Sequence, residues 1–400
     1  MSNAPKKLPA AFEKALLGYL KRTYLKKGRA DSPWNQRDTE YFARGIVELN
    51  RSFTETRSQK AFNYLNDPIM RSGYLAYFLP VNAMKAYGIL NRFHTPDLKK
   101  ERIRVADIGA GPLTLSFGLL FHLTNELEKF PDAKITLQID AFEQNKKIVT
   151  DGRGILFDYL RESGLEKRIS VQIRDFSGSF FTHLRGAGTY DYLLLGNILN
   201  EFDERSDQVS LVLRILSQLS KSSTMALFIE PGSKKFTRDL QAVRDEILEA
   251  TDYRIQAPCL HQSKCPLNLT AKSDWCNFNE AWQAPQFIRD FDELTELKKS
   301  FLLYSYLLLK NDVASAPKNS KKDFLAISDL MKEKGRLEVV GCGPAGRVRF
   351  IRAHRDMTKS NEDFERIRRG TKFSAPDFEP KPDFELNRNM PLKAKERIVV

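Results

Sequence analysis

Cysteine is scarce in this 400-residue chain, which contains four cysteines and five histidines. Three of the cysteines lie in one stretch, CLHQSKCPLNLTAKSDWC (residues 259–276), and the fourth, Cys342, lies far downstream. Because we expect a reducing compartment for this chain, we do not expect a structural disulfide. The count alone leaves a metal site, a catalytic thiol and coincidental clustering open.

Long apolar runs are also lacking, since a stretch such as FLLYSYLLL (residues 301–309) is far too short to cross a bilayer. The N-terminal sequence has lysines but no apolar signal core and no small-residue cleavage site, which argues against secretion. It contains Glu13, little serine and more lysine than arginine, unlike a typical mitochondrial presequence. We therefore expect a cytoplasmic protein, or a mitochondrial one if the source is eukaryotic.

Basic residues, by contrast, are abundant. The net charge is +13, and residues 1–29 contain eight lysines and arginines but a single acid, Glu13. An apolar fraction of 42% and a charged fraction of 29% are typical of a soluble globular protein. The excess of positive charge predicts a polyanionic partner, for which nucleic acid is the usual candidate.

The periodicity of apolar residues divides the chain into regions. Residues 1–98 show three- and four-residue spacing and predict a helical N-terminal domain, in which Pro80 kinks or separates two helices. From Arg102 to about residue 250, short apolar strands alternate with helix-length segments, which predicts a parallel sheet covered on both faces.

The remaining regions are less regular. We predict an α/β domain over residues 99–312 with a loop-rich, cysteine-bearing insertion at 251–290. C-terminal strands would follow over residues 313–369 and include Cys342. The Pro-rich, charged segment 370–400 predicts an extended or disordered tail.

The most informative short motif is VADIGAGPLTLS (residues 105–116). A buried strand ends near Asp107, and Gly109 and Gly111 follow before a helix begins near Pro112. Glycines at such a turn let the backbone approach a ligand, and the helix N-terminus offers free amides. The motif lacks the third glycine of the dinucleotide-binding form.

Polar residues at later strand ends fit the same site. Glu143, with Asp140 as the second choice, could accept the hydroxyls of a ribose, and Asp175 could contact an adenine. Gly196 and Asn197 would lie beneath the reactive end of a bound donor. Each of these residues could instead be an ordinary strand-end polar group or helix cap.

This arrangement resembles the class I S-adenosylmethionine-dependent methyltransferases over residues 102–310. The resemblance implies a Rossmann-like, seven-stranded mixed sheet with the cofactor at the carboxyl ends of the parallel strands. The cofactor-binding residues would be Asp107, Gly109, Gly111, Pro112, Glu143, Asp175 and Asn197. It does not identify the methyl acceptor.

Catalytic residues cannot be assigned from the sequence. The run GNILNEF after the fourth strand lacks the prolines common in enzymes that methylate exocyclic base nitrogens. Cys259 lies beyond the fifth strand beside two other cysteines, so we reject it as a nucleophile. Asn197, Asn200 and Glu201 are the polar residues expected nearest the reaction centre, although Asn200 and Glu201 could simply cap the following helix.

The cysteine spacing, Cys259-x5-Cys265-x10-Cys276 and then Cys342, lacks the close pairs of a zinc knuckle or ribbon. His261 could still serve as a zinc ligand. Four thiolates match the number that holds an iron–sulfur cluster.

The segments PCLHQSKCPL, DWCNF and IEPGS, together with SYLLLK and GYLAYFLPVNAMKA, resemble the methyltransferase-like protein 17 family over residues 70–350. This is a family of mitochondrial small-ribosomal-subunit assembly factors with bacterial relatives. The resemblance implies S-adenosylmethionine binding and contact with small-subunit ribosomal RNA. It also implies a 4Fe–4S cluster held by four residues: Cys259, Cys265, Cys276 and Cys342.

Two departures from the family pattern concern residues around the ligands, namely the shifted His261 and Asn277 where histidine is common. We therefore expect an iron–sulfur, methyltransferase-like protein acting in ribosome assembly or translation as a monomer without membrane contact. The alternatives are an active ribosomal RNA methyltransferase and, less favoured, a small-molecule or protein methyltransferase.

Overall fold

The structure of the chain is a computed structural model. It describes residues 6–25, 32–55, 61–176, 188–269, 274–299, 301–381 and 385–400. Parts of the predicted cysteine insertion (270–273) and tail (382–384) lie outside the described residues. The chain forms two compact units. The first comprises Met1–Glu201, Gln218–Lys221 and Glu280–Leu302, and the second comprises Phe202–Ser217, Ser222–Asn279 and Leu303–Val400. These units differ from the domains predicted from the sequence, whose boundaries stay a prediction.

Along the chain, the first unit has helices before, between and after its strands. Its helices are α1 (Ala10–Tyr24), α2 (Gln36–Glu55), α3 (Pro68–Gly73), α4 (Leu79–Phe93), α5 (Thr114–Leu127), α6 (Lys146–Ser163) and α10 (Gln286–Thr295). Its strands are β1 (Lys6–Lys7), β2 (Arg102–Ile108), β3 (Ile135–Phe142), β4 (Ile169–Phe176), β5 (Tyr190–Gly196) and most of β8 (Phe278–Gln283).

The central strands of the first unit are parallel, in the order β5-β2-β3-β4. β2 and β5 are almost entirely buried, as expected for strands covered on both faces. Helices α5 and α6 each connect one parallel strand to the next, as the alternation of patterns predicts. The carboxyl ends of β2, β3, β4 and β5 therefore meet at one edge.

The N-terminal helices pack on this unit through aromatic side chains. The Phe12 ring contacts Phe117, Phe121 and Tyr159 at centroid distances of 4.9, 5.0 and 5.8 Å. A π-helical turn, Tyr74–Phe78, separates α3 from α4. Pro80 lies in the first turn of α4, directly after this π-helical turn. The backbone stays helical from residue 68 to residue 93, so Pro80 does not separate two helices, and a kink there stays a prediction.

The second unit contains three further helices and the remaining strands. The helices are α7 (Arg205–Leu219), α8 (Lys234–Ala250) and α9 (Pro266–Leu269). The strands are β6 (Ser220–Pro231), β7 (Tyr253–Ala257), β9 (Phe301–Asn311), β10 (Asp323–Ala326), β11 (Met331–Glu333), β12 (Arg336–Gly343), β13 (Gly346–Ala353), β14 (Lys372–Ser374) and β15 (Glu385–Leu392).

β9 pairs antiparallel with both β6 and β7. A class I methyltransferase sheet combines parallel strands with an antiparallel strand. The first unit contains the parallel strands, and the second contains the antiparallel strand β9. Counting β2–β7 and β9, the chain has the seven strands that the resemblance implies, with β1 and β8 in addition. The predicted α/β, Rossmann-like fold class is confirmed.

A second sheet in the second unit has the order β14-β10-β12-β13-β15, with β11 paired to β12. Its core includes a cluster of phenylalanine rings, Phe324, Phe350, Phe373 and Phe378. The C-terminal segment, for which composition predicts an extended or disordered tail, forms β14 and β15 here and buries Met390 and Ile398. Pairing of β15 with the distant β13 explains the difference, because composition does not report long-range pairing.

Among the described residues, no helix is both long enough and apolar enough to cross a membrane.

Candidate functional site

The glycine loop joins β2 to α5 in the first unit. Gly109 has φ +64° and Gly111 has φ +51°, a backbone region in which side chains are disfavoured. The amides of Gly109 and Ala110 bond the Phe142 carbonyl at 2.8 and 3.3 Å, which ties the loop to the end of β3. The loop therefore has a fixed, left-handed backbone that only glycine adopts readily.

Gly152 of α6 allows a close approach to this loop. A Cβ on Gly152 would lie 2.4 Å from the Pro112 carbonyl oxygen, so no larger residue fits there without movement. Helix α6 therefore packs directly against Pro112.

Asp107 is buried beneath the loop, with 1% of its surface exposed. Its Oδ2 accepts hydrogen bonds from the Ser116 amide at 3.2 Å and the Ser116 hydroxyl at 2.6 Å. Burial raises the pKa of Asp107 to about 7, against the opposing effect of these hydrogen bonds. Asp107 therefore anchors the first turn of α5.

Glu143 follows β3 directly and faces the loop. Its Oε2 accepts the Gly111 amide at 3.0 Å, and its Oε1 accepts the Asn145 amide at 3.0 Å. The Asn145 side chain in turn caps α6 by accepting two backbone amides. Among the acids at the end of β3, Glu143 is thus the one that the structure brings to the glycine loop.

Asp140, the second choice from the sequence, has a different environment. It is fully buried, and its carboxylate accepts hydrogen bonds from Arg174 Nε at 2.6 Å and the Tyr190 hydroxyl at 2.5 Å. Because these groups occupy both oxygens, Asp140 is committed to holding neighbouring strands together.

Asp175 is exposed near the end of β4 and accepts a hydrogen bond from Arg153 Nη2 at 2.8 Å. This ion pair connects β4 to α6. The contacts of Asp175 among the described residues do not include the glycine loop, so its role toward an adenine stays a prediction.

The loop after β5 lies against the glycine loop. Asn197 has φ +56°, and a Cβ on Gly109 would lie 3.4 Å from Ile198 Cδ1. Gly196 approaches Leu115 closely, since a Cβ there would lie 2.9 Å from Leu115 Cδ1. The structure therefore brings Asn197 to the same edge as the loop, as the sequence predicts.

Two tyrosines that the sequence does not single out, Tyr64 and Tyr74, also lie at this site. A Cβ on Gly111 would be 3.9 Å from the Tyr74 hydroxyl. Burial raises the pKa of Tyr74 to about 12, and the carboxylates of Glu143 and Glu201 add to the shift. Both tyrosines lie within apolar helical patterns, so the sequence does not indicate that they belong to a site.

The four cysteines line a single pocket in the second unit, together with His261 and Arg244. The pocket contains about 560 Å³ of space, part of it open to solvent. His261 Nε2 lies 3.5 Å from Cys342 Sγ. Cys342 comes from β12, where it pairs with Leu325 and Arg347, so the second sheet brings it to the other three.

Polar contacts position the segments that carry the clustered cysteines. The Asp245 carboxylate accepts the Cys265 amide at 3.0 and 3.1 Å. The Gly232 carbonyl, which follows the Glu230–Pro231 end of β6, accepts hydrogen bonds from Trp275 Nε1 and Asn277 Nδ2, both at 3.0 Å. Asn277, a departure from the family pattern, thus fixes the backbone beside Cys276.

Within the described residues, no group of three or more cysteine, histidine, aspartate and glutamate side chains has the arrangement of a metal site. Instead, Cys265 packs with Leu267, Ile327 and Val340, and Cys276 and Cys342 pack against that cluster. Burial raises the pKa of Cys265 to about 11, and the pKa values of Cys276 and Cys342 lie well above the usual value. Burial therefore favours the neutral thiol form of these three side chains.

The chemistry of the pocket nevertheless suits a metal cluster. Several polar side-chain atoms of its wall, in Thr237, Gln241 and Arg244, have no hydrogen-bond partner among the described residues. Arg244 is 2% exposed, and its charge is balanced in part by Asp245. N–H and O–H groups and a buried cation would complement the negative charge of thiolates and inorganic sulfide.

Comparisons with known proteins identify a family and several distantly similar structures. A sequence model of a protein family described as mitochondrial small ribosomal subunit Rsm22 matches residues 135–349, which is 215 of the 400 residues. No curated protein sequence matches the chain.

Solved structures of methyltransferases are similar at low identity. A putative class I S-adenosylmethionine-dependent methyltransferase from Listeria monocytogenes is 10% identical, with a TM-score of 0.36, and covers 77% of this chain and 91% of its own. The METTL16 methyltransferase domain is 13% identical, with a TM-score of 0.34, and covers 78% and 98%. A methyltransferase from Pyrococcus furiosus is 12% identical, with a TM-score of 0.29, and covers 57% and 83%. Likenesses this distant carry no argument about activity.

Proposed function

The chain belongs to the Rsm22 family, described as mitochondrial small ribosomal subunit, and from this premise we propose a function in ribosome assembly or translation. In this proposal the protein binds S-adenosylmethionine and an iron–sulfur cluster and contacts the small ribosomal subunit or its RNA. Membership agrees with the resemblance to methyltransferase-like protein 17 seen in the sequence. The net charge of +13 supports contact with RNA phosphates.

The observation that carries the donor site is the hydrogen bond between the Gly111 amide and Glu143. It supports a site in which a left-handed glycine backbone and a ribose-binding carboxylate face each other at the carboxyl edge of parallel strands. In this site Gly109, Gly111 and Pro112 would lie along the donor, Asp107 would hold the helix behind them, and Asn197 would lie at the reactive end. Asp175 remains the candidate for the adenine.

For the metal, we propose that the four cysteines of the pocket hold a 4Fe–4S cluster. When bound, such a cluster supplies a rigid crosslink between segments distant in sequence, and four thiolate ligands leave no iron open for chemistry. Arg244 would balance charge and Asp245 would orient the Cys265 backbone. A single tetrahedral zinc ion is the alternative, because four thiolates also satisfy zinc.

Metal analysis of protein purified without oxygen distinguishes the two metals. We expect brown protein with about four iron and four sulfide per chain. A colourless protein with about one zinc per chain and no iron would contradict the cluster while leaving the donor site intact.

Co-sedimentation tests the ribosomal partner. We expect the protein to pellet with purified small subunits at low salt and to be released as salt rises, because phosphate contacts are salt-dependent. Large subunits serve as the control. Protein that stays in the supernatant with both subunits at low salt would contradict the ribosomal proposal.

The second candidate function is active methylation of ribosomal RNA. It is favoured by the polar residues Asn197 and Glu201 at the expected reaction centre, although the loop lacks a known catalytic pattern. If this candidate is right, the purified protein will transfer label from labelled donor to the RNA of small subunits taken from cells that lack the protein. Donor binding without transfer would favour the assembly role, and transfer to a small molecule or protein would favour the third candidate.

A further inference from the structure

A short turn from the N-terminal helices contacts the segment that carries Glu143. This turn, Ala61–Asn66, is a 3-10 helix that precedes α3. Asn66 Oδ1 accepts a hydrogen bond from Asn145 Nδ2 at 3.0 Å, across 79 positions of sequence. Asn145 caps α6 and follows Glu143 by two residues. The N-terminal helices therefore have a direct polar contact beside the proposed ribose-binding carboxylate.

Asn145 connects Asn66 to Glu143 through its side chain and its backbone. Its Oδ1 accepts the amides of Lys147 and Ile148 at 3.0 and 3.2 Å, so the carbonyl end of the side-chain amide faces α6. The NH2 end is therefore the donor toward Asn66. The backbone amide of Asn145 donates to Glu143 Oε1 at 3.0 Å. The contact with Asn66 thus fixes, from outside α6, the residue that orients Glu143.

The backbone of Asn66 is fixed in turn by Arg71. Arg71 Nη1 donates to the carbonyls of Leu65 and Asn66 at 3.0 and 3.3 Å. Arg71 Nε donates to Asp151 Oδ2 at 3.0 Å, and both of these side chains are largely buried. Asp151 belongs to α6, the helix that Asn145 caps. The hydrogen bonds therefore form a closed ring that leaves α6 at Asp151 and returns to it at Asn145.

The orientation of Glu143 determines what its carboxylate can still accept. A carboxylate offers about two acceptor positions on each oxygen. Among the described residues, the amides of Gly111 and Asn145 take one position on each oxygen of Glu143. One position per oxygen is then left, which matches the two hydroxyls of a ribose. Because rotation of the carboxylate would break this match, the contacts that fix its orientation contribute to ribose binding.

We propose that Asn66 is a positioning residue of the donor site, which acts through Asn145 to hold the Glu143 carboxylate in the orientation that accepts the ribose hydroxyls. The inference rests on the proposed donor site. Asn66 itself makes no contact with the donor in this proposal. The turn before α3 therefore contributes to donor affinity, although it lies outside the parallel strands and the glycine loop.

Titration calorimetry of S-adenosylmethionine into the full chain tests this role. Asn66→Ala removes the acceptor, and Asn66→Asp keeps an acceptor oxygen for Asn145 Nδ2. Asn91→Ala is the matched control, because Asn91 Oδ1 accepts a hydrogen bond from Asn125 Nδ2 at 2.9 Å in the same unit. Both alanine variants lose one hydrogen bond between two asparagines, but the second of these bonds joins α4 to α5 and does not involve Glu143.

We expect Asn66→Ala to weaken donor binding about fivefold, the value of one ordinary hydrogen bond. Asn66→Asp should restore the wild-type affinity, and Asn91→Ala should bind the donor as wild type does. S-adenosylhomocysteine, which lacks the positive charge on sulfur, should give the same pattern, so that the added charge of Asn66→Asp does not account for the rescue. Wild-type affinity in Asn66→Ala, or equal weakening in both alanine variants, would overturn the inference.

A double-mutant cycle with Glu143→Gln distinguishes action through Glu143 from a general structural role. Glu143→Gln removes the charge and one of the two accepting oxygens. In that background Asn66→Ala should weaken donor binding by less than about twofold, because the carboxylate that Asn66 positions is gone. The full loss in both backgrounds would contradict the inference and leave the donor site intact. A wild-type protein that binds no S-adenosylmethionine would overturn the proposed donor site and the inference with it.

Discussion

The glycine-loop site and the thiol pocket differ in how far the protein builds them by itself. At the glycine loop, Asp107 and Glu143 are already hydrogen-bonded and the backbone already has its left-handed turns. In the thiol pocket, Cys265 packs among apolar side chains, with Cys276 and Cys342 against them, and the described residues contain no preformed metal site. The first site is preorganised by hydrogen bonds, whereas the second would be completed by the metal that we propose for it.

From this difference we expect that a substitution that abolishes ligand binding at one site leaves ligand binding at the other site intact. Donor binding depends on local backbone geometry in the first unit, and metal binding depends on four side chains from separate segments of the second. Variants at one site should therefore leave the ligand of the other in place.

The largest effect is expected from Gly109→Arg. The substitution places a long side chain where the donor would lie, so we expect calorimetric donor binding to fall by more than about 100-fold. Iron content should not change. Gly164→Arg is the control, because Gly164 has the same positive φ, at +68°, with nothing within 4 Å of an added Cβ. Equal loss of binding in both variants would mean that backbone strain rather than the site is responsible.

A comparable effect on the other site is expected from Cys342→Ser. Loss of one of four thiolates should remove most of the iron, measured by metal analysis after anaerobic purification. Ser305→Ala changes another side chain of the same pocket without removing a thiol and should keep its iron. Full iron content in Cys342→Ser would exclude Cys342 as a ligand.

The smallest effect concerns His122, a buried histidine outside both sites. Burial lowers its pKa to about 4, so the folded protein keeps it neutral while the unfolded chain binds a proton below about 6.5. Stability from this group is thus complete above pH 6.5 and is lost as pH falls toward 4. We expect the free energy of unfolding to drop between pH 7 and pH 5 by about 2 kcal/mol more in wild type than in His122→Leu.

Urea unfolding at the two pH values measures this difference. The exposed His354→Leu serves as the control and should keep the wild-type pH dependence. The raised pKa values of Asp107 and Glu201 act in the opposite direction, and the comparison between variants cancels them. An unchanged pH dependence in His122→Leu would show that His122 does not remain neutral.

The sequence predicts the parts of each site that depend on local patterns. The strand, turn and helix around Gly109 and Gly111 follow from short-range periodicity, and the end of β3 offers few acids. The grouping of the four cysteines at one pocket follows only from the family resemblance, because Cys342 reaches it through long-range pairing in the second sheet.

Other features could not be predicted, for physical reasons. Tyr64 and Thr114 lie at the donor edge and belong to helical segments. The apolar pattern of such a segment predicts which side chains are buried, but it does not predict what those side chains face. The sequence does not show which of the two acids, Asp140 or Glu143, belongs to the donor site. Their hydrogen-bond partners do, since Arg174 binds Asp140 and the Gly111 amide binds Glu143. The folded C-terminal strands depend in the same way on distant partners.

The central claim is that the chain carries two separate ligand sites, one for the methyl donor and one for a metal. Calorimetric titration of S-adenosylmethionine into folded Cys342→Ser protein tests it most directly. The account predicts about one donor per chain, with an affinity within roughly twofold of wild type, because sites that share no residues should not couple. Folded Cys342→Ser protein that binds no donor, beside a wild-type protein that does, would contradict it.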